Sequence, residues 1–376
     1  MYSATALAFL IMMPHSLPPS EEIGGIITQA IDKSKTAVEK NGIHVILDSP
    51  SNTSNRMTIH QLETKIFHTT FGRNPPALRI HSGDRIVADT RDARGYDRFN
   101  QPLPAEMRAP ADGFEYSTSN PLLGPVYVEE AEPGDTLAVH IEKIELNRDT
   151  AWSSHSPNFG SLTGEQFSRR LLLNEPMPSL LFNWKLDLQR NVGILELEKS
   201  QRKHIELPLH PFIGSIGVAP RYGRVETALT PGEYGGNLDC VETRQGTVLY
   251  LPVWARGAYL AFGDIHAAQG DGEVCGSALE TTARVTLRVE VRKQWSIEWA
   301  RLEDDNYLMT TGSLHSLIDA VRVAQVEMLN WLMRDYGFEK FEGWQILSQA
   351  GTMRIGNIVD PNFTVVAKFP KALLTV

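Results

Sequence analysis

Gly263-Asp264-Ile265-His266-Ala267-Ala268-Gln269-Gly270-Asp271-Gly272-Glu273 places three carboxylates, an imidazole, an amide and three glycines within eleven residues. Little in it is suited to fill a core. Its glycines permit tight backbone turns, and its acids and histidine can ligate a metal or move protons. A second polar cluster, Gly235-Gly236-Asn237-Leu238-Asp239, lies upstream, and the apolar run Val248-Leu249-Tyr250-Leu251-Pro252-Val253-Trp254 separates the two. An apolar strand between two Gly/Asp/His loops is a way to bring reactive groups together on a rigid scaffold.

Outward from this stretch the texture is β. Ile86 and Ala88 alternate with Arg85, Val87 and Asp89 across Asp84–Thr90, and Pro125–Glu130 and Thr136–Leu146 read as strands. Leu137, Val139 and Ile141 mark one face until the period slips near Lys143. Ala283–Arg292 is a further strand, with Val285, Leu287, Val289 and Val291 on one side. Gly83-Asp84 and Gly134-Asp135 each stand at the mouth of a strand, which is turn chemistry rather than a repeat. The C-terminal fifth differs. Leu314, Leu317, Ile318, Val321, Ala324, Met328 and Leu332 recur at helical spacing, predicting one amphipathic helix over Ser313–Asp335, stopped at Gly337, and a shorter one over Gly343–Gln349. The fold class is therefore α+β and mostly β. Residues 1–55 are a leader, 56–300 a β-rich body, and 301–376 a helical part completing the fold.

Composition narrows the function. The 376 residues are 42% hydrophobic and 22% charged, as in an ordinary globular chain. A formal net charge of −9 argues against a nucleic-acid-binding face, which must be basic. Cys240 and Cys275 are the two cysteines, too few for a disulfide framework and without Cys-x-x-Cys spacing. No apolar run reaches the roughly 18–20 residues that span a membrane. Ala4–Met13 is apolar and ends at Pro14, but no Lys or Arg precedes it, so the leader is expected to be disordered and the protein cytoplasmic. The alternative is export, with the leader as part of a signal. Glu21–Lys40 could form one amphipathic helix. No phosphate-binding loop or dinucleotide fingerprint is present, so nucleotide cofactors have no support.

Three i, i+2 polar pairs stand out: Asp264 with His266, Asp271 with Glu273, and Asn237 with Asp239. On a strand such residues share a face. Mixed carboxylate and imidazole donors suit zinc in a tetrahedral site, and calcium or magnesium where oxygens dominate. Each Gly-Asp pair alone is also what a β-turn uses. His266, Gln269 and Glu273 have no such role in turns, which favours a functional reading of the whole string. Cys275, two residues after Glu273, offers thiol chemistry, although a lone cysteine is more often a small buried hydrophobe. Ser215 lacks a nucleophile-elbow setting. In His210–Pro220 glycines alternate with isoleucines, fitting either a packed strand or one whose backbone is approached closely. His210 is a ligand or a structural hydrogen-bonding group.

Several of these segments, in this order, resemble the acetamidase/formamidase family: Ser82–Asp92, Asn120–Val128, Ala131–Leu137, His210–Pro220, Gly235–Asp239 and Gly263–Gly276. The resemblance spans roughly residues 60–365, whereas Thr150–His204 fits it poorly. It implies hydrolysis of a short-chain linear amide to ammonia and carboxylate, on β-sandwich and barrel-like parts with a C-terminal α/β piece. It also implies homo-oligomers and, in some members, a divalent metal. Carried onto this sequence, it implies a site made from Asn237, Asp239, Asp264, His266, Gln269, Asp271 and Glu273. The expected assignment gives a zinc or calcium ion to Asp239, Asp264 and His266, with Asp271 as a further ligand. Glu273 is the expected general base, and Asn237 or Gln269 the donor to the developing oxyanion. Thiol catalysis by Cys275 and a non-catalytic binding protein on the same scaffold are the alternatives.

Overall fold

The structure, a computed structural model, describes residues 57–109, 119–157, 159–163 and 177–374. The expected leader and the Glu21–Lys40 helix lie outside the described residues. Two large sheets dominate. The first has nine strands, in the spatial order Ile59–Gln61, Arg85–Asp89, Ala283–Arg292, Thr136–Leu146, Val248–Pro252, Arg301–Glu303, Tyr307–Leu314, Phe363–Pro370 and Thr352–Asn357. All its neighbours are antiparallel except the first pair. The strands read as Thr136–Leu146 and Ala283–Arg292 form over those same bounds and lie side by side.

The period slip near Lys143 is a β-bulge. Thr286 pairs with Lys143 and Leu287 with Ile141, leaving Glu142 as the extra residue. The bulge returns both Ile141 and Ile144 to the core and turns Glu142 toward Arg85 Nε, 2.6 Å away. Leu137 and Val139, fully buried on the same face, each contribute on the order of 1.5–3 kcal/mol by leaving water.

The second sheet has ten strands. Along its main path run His204–Pro208, Val192–Glu196, Leu180–Asp187, Thr150–His155, Glu280–Thr281, Leu260–His266, Phe212–Gly217 and Gly235–Asn237. Leu123–Val128 joins Leu260–His266 from the side and carries Leu78–Ile80 beside it. The Thr150–His204 region, which fits the family resemblance poorly, thus supplies strands that widen this sheet. One core cluster contains Ile86, Val139, Leu249 and Leu287 of the first sheet with Ile213, Ile216, Leu260 and Phe262 of the second. The two sheets therefore pack face to face as a sandwich.

The other face of the first sheet carries the helices. Ala138, Tyr250, Leu308 and Phe369 alternate away from the sandwich core and meet Met328, Trp331, Leu332 and Leu347. The first helix is Leu317–Tyr336, not Ser313–Asp335: Ser313 and Leu314 end a strand, and the Ser316 side chain caps the helix by accepting from the Asp319 N–H. Ser, a strong N-cap former, overrides the apolar spacing that ran back to Leu314. At the other end Gly337 adopts φ 70°, the left-handed stop the sequence predicts. The apolar stripe is also rotated, with Ile318 exposed while Ala320 and Trp331 are buried. The second helix, Lys340–Ala350, is longer than expected because Glu339 caps it. Among the described residues no helix is long and apolar enough to cross a membrane.

Candidate active site

The stretch Gly263–Glu273 is not one loop. Gly263, Asp264, Ile265 and His266 end the strand Leu260–His266, every residue of which is buried, and Ala267 and Ala268 are core residues too. On one edge this strand pairs with Phe212–Gly217, through Ala261, Phe262, Gly263, Ile265 and His266. On the other it pairs first with Leu123–Val128, through Leu260 and Phe262, and then with Glu280–Thr281, through Ile265 and His266. The partner changes around Gly263 and Asp264, and polar groups gather in that gap.

Asp264 and His266, two apart on the strand, share a face as predicted, with His266 Nε2 3.4 Å from both Asp264 Oδ2 and Glu280 Oε1. The neighbouring strands bring the rest. Asn237 Nδ2 donates to Asp239 Oδ2 at 2.7 Å and to Asp360 Oδ2 at 2.8 Å. Its Oδ1 accepts from the Ser215 hydroxyl and from Asn120 Nδ2, which also reaches Asp264 Oδ2 at 3.0 Å. Gly214 makes this possible, because a Cβ there would stand 2.8 Å from both Asp239 Oδ1 and Asp264 Oδ2. Both readings of His210–Pro220 are realised: Phe212–Gly217 is a buried strand paired on both edges, and at Gly214 other groups approach its backbone closely.

Asp239, Asp264 and Glu273 have φ of 45°, 58° and 46°. Left-handed backbone at three buried carboxylates is strain held in place by the surrounding fold, a pattern that gathers at working sites.

Asp239, Asp264, Glu273, Glu280 and Asp360 put five buried carboxyl groups around one imidazole. Burial, opposed by the charge of His266, pushes Asp239 up to about 6 and Glu280 up to about 8. Burial and the charge of Asp239 hold Glu273 and Asp360 well above the usual carboxylate range. For His266 burial opposes the cation, but Glu280 and Asp264 outweigh it and raise the imidazole well above its ordinary value.

These directions fix the sign of a pH effect. A carboxyl whose pKa rises on folding adds stability that is complete at low pH and lost as pH climbs through the folded value, and a raised imidazole has the same sign. With chelator present, the melting temperature is expected to fall from about pH 5 to about pH 8.5, the loss spreading through the Asp239 and Glu280 values. A melting temperature that is flat or rising across that window refutes the cluster's burial as described.

Ligand-type atoms converge in two sets, Asp239–Asp264–His266 and His266–Glu273–Glu280, each with its atoms within 4.8 Å of one another. Among the described residues, Asp239 Oδ1, Asp264 Oδ1 and Glu280 Oε2 are buried with no hydrogen-bond partner. Orphaned oxygens of this kind fit a cation better than a self-satisfied polar network. The cluster opens into a cavity of about 390 Å³ that Asn120, Asp264, His266, Glu273, Glu280 and Asp360 help to line.

The sequence pattern of the Acetamidase/Formamidase family matches residues 54–227 and 223–376. The chain belongs to the acetamidase/formamidase family. A formamidase of Methylophilus methylotrophus is 26% identical over 260 residues, an alignment covering 58% of this chain and 62% of that one. The chain thus spans under two thirds of the length of this curated relative. A crystal structure of an acetamidase from Yersinia enterocolitica superposes with a TM-score of 0.74 at 36% identity, covering 86% of this chain and 95% of that one. An acetamidase structure from Bacillus halodurans gives 0.67 at 30% identity, covering 84% and 98%.

Against the site expected from the family resemblance, Asn237, Asp239, Asp264, His266 and Glu273 come together. Asp271 does not: its side chain is half-exposed and pairs with Arg354, Nε to Oδ1 2.9 Å. Its i, i+2 spacing from Glu273 spans a turn at Gly272, φ 85°, so the strand rule does not apply there. Gln269 touches the cluster from behind. Its Oε1 lies 2.8 Å from His266 Nδ1, and its Nε2 donates to the carbonyls of Asp239 and Gly356. His210 lines a separate cavity, and Cys275 is exposed while Cys240 is buried. Glu280 and Asp360 are the members of the cluster the sequence did not reveal. Asp360, before Pro361, reads as turn chemistry, and Glu280 sits among ordinary strand residues with no local signal. Asn120 is legible only as a turn residue, and its φ of 55° makes it one.

Proposed function

We propose that the protein hydrolyses a linear amide to ammonia and a carboxylate, with Glu273 as general base and Asp239, Asp264 and His266 holding a zinc or calcium ion. The observation that carries this is the meeting of Glu273 in one cavity lining with Asp264 and Glu280, each of which has a buried carboxylate oxygen without a hydrogen-bond partner among the described residues. Such an ion supplies Lewis-acid polarisation of the amide carbonyl and of the attacking water.

Glu273 takes the proton from water as its oxygen bonds to the amide carbon. The carboxyl then returns a proton to nitrogen as the C–N bond breaks, so ammonia leaves and the acyl group ends as carboxylate. Burial and Asp239 draw the Glu273 pKa upward while His266 draws it down, the kind of balance that suits a residue acting first as base and then as acid. Asn237 and Gln269 take positioning roles in this scheme rather than donating to an oxyanion. Both hydrogens of the Asn237 amide already go to carboxylates, and both ends of Gln269 are committed. Gln269, facing His266 Nδ1, leaves Nε2 turned to Asp264 and Glu280, as a second shell behind a ligating histidine does.

The test is ammonia release from formamide, acetamide and propionamide by purified protein, before and after chelation, with zinc or calcium added back. Loss on chelation and recovery with one ion supports the scheme, and no ammonia from any amide removes it. Cys275 lines a neighbouring cavity of about 480 Å³ that Glu273 also lines, but it does not line the one that holds Asp264 and His266. Cys275→Ser is therefore expected to keep at least about half of the activity, since an exposed thiol with no cationic partner among the described residues has little to contribute. A loss of a hundredfold or more would restore the thiol mechanism.

A further inference from the structure

The cavity has room for more than the simplest amides. At about 390 Å³ it lies in the range of roughly 300–1,000 Å³ that encloses drug-sized ligands, and formamide or acetamide would leave most of it to water. Its lining mixes two chemistries: the acids Asp264, Glu273, Glu280 and Asp360, and the cation and apolar surface of Arg94, Trp152, Phe159 and Leu229.

Arg94 is exposed, makes no salt bridge among the described residues, and places its guanidinium carbon 4.0 Å from the centre of the Trp152 ring. An arginine stacked on an aromatic face keeps its outer edge free to grip a planar anion with two parallel hydrogen bonds. Both parts of this platform hang on one buried carboxylate. Asp92 Oδ1 accepts from the backbone N–H of Arg94 at 3.0 Å and of Tyr96 at 2.9 Å. Asp92 Oδ2 accepts from Trp152 Nε1 at 3.1 Å and from Arg148 Nη2 at 2.9 Å, the last an ion pair with both side chains almost fully buried. The indole and the arginine backbone are thus fixed to each other before any ligand arrives, which lowers the entropy lost on binding.

We infer that the acyl group this site accepts carries a carboxylate, bound by Arg94 on the Trp152 platform, so that the substrate class is the monoamide of a dicarboxylic acid. The inference rests on the amide-hydrolysis reading and deepens it. Charge orders the substrate within the cavity. A terminal carboxylate is repelled by the buried acids and held at Arg94, the one arginine among the described lining residues, while the amide is left to Glu273 in the same lining. Apolar contact with Phe159 and Leu229 suits the methylene chain between the two ends.

Succinamate and succinamide test this, being nearly the same size and differing in charge. Ammonia release by the full chain is expected to show kcat/KM for succinamate at least about tenfold above succinamide, the order a charge-assisted bidentate contact can supply. In Arg94→Gln that ratio should fall to near one, and Arg94→Lys, a point charge without the stacked fork, should restore part of it. A wild-type ratio of one or less, or a ratio unchanged by Arg94→Gln, overturns the inference. Calorimetric binding of succinate by the wild type and Arg94→Gln is independent of turnover. Weakening by about tenfold or more supports the anion subsite, and equal binding overturns it. An absence of ammonia from every amide would count against hydrolysis itself, and succinate binding would still decide the role of Arg94.

Discussion

Glu273→Gln is expected to lower kcat for amide hydrolysis by roughly a thousandfold, within the hundred- to ten-thousandfold that a positioned acid–base group contributes. Glutamine keeps the side chain's length and its capacity to donate, so the buried pocket stays filled, but it cannot take a proton from water. Asp239, Asp264 and His266 converge without it, so metal content measured by mass spectrometry should match the wild type. The two readouts separate the roles. A kcat within about tenfold of the wild type removes Glu273 as base, and a parallel loss of metal would make it a ligand instead.

Asp264→Ala is expected to have the opposite pattern. It deletes a carboxylate oxygen that no group among the described residues satisfies and a neighbour of His266 Nε2. Metal occupancy should fall below about a tenth at micromolar ion, since losing a direct ligand costs more than the ten- to hundredfold in affinity lost with an outer-shell partner. Activity should fall to background with it. Full occupancy in this variant would mean that the ion, if held, uses the His266–Glu273–Glu280 set instead.

The long strands were legible because their signals are local. Alternation over Thr136–Leu146 and Ala283–Arg292 gave their bounds, and the slip near Lys143 marked a real bulge. The helix start was misread by periodicity alone, because Leu314 fits both a strand end and a helical stripe, and the Ser316 cap decides between them. In the site, the pairs close in sequence were readable, Asp264 with His266 and Asn237 with Asp239. Reading Gly263–His266 as a loop failed because buried polar residues in a strand look like loop composition until their partners are seen. Glu280 joins through the pairing of its strand with Leu260–His266, and Asp360 through a loop that meets Asn237, 123 positions away, neither of which one sequence displays. Asp271 shows the reverse error: a ligand-type residue in the right string, turned away by the glycine next to it.

The cluster also has a schedule. Asn237 bridges to Asn120, 117 positions earlier, and to Asp360, 123 positions later. Contacts of such separation form late and slowly, after much of the chain has already been ordered. On the ribosome, Asp239, Asp264 and His266 emerge well before the segment that carries Asp360. Until the strand Phe363–Pro370 docks beside Tyr307–Leu314, the nascent chain holds an acid-rich half-pocket without its last member. The cluster is thus complete only when the last strands of the first sheet are in place.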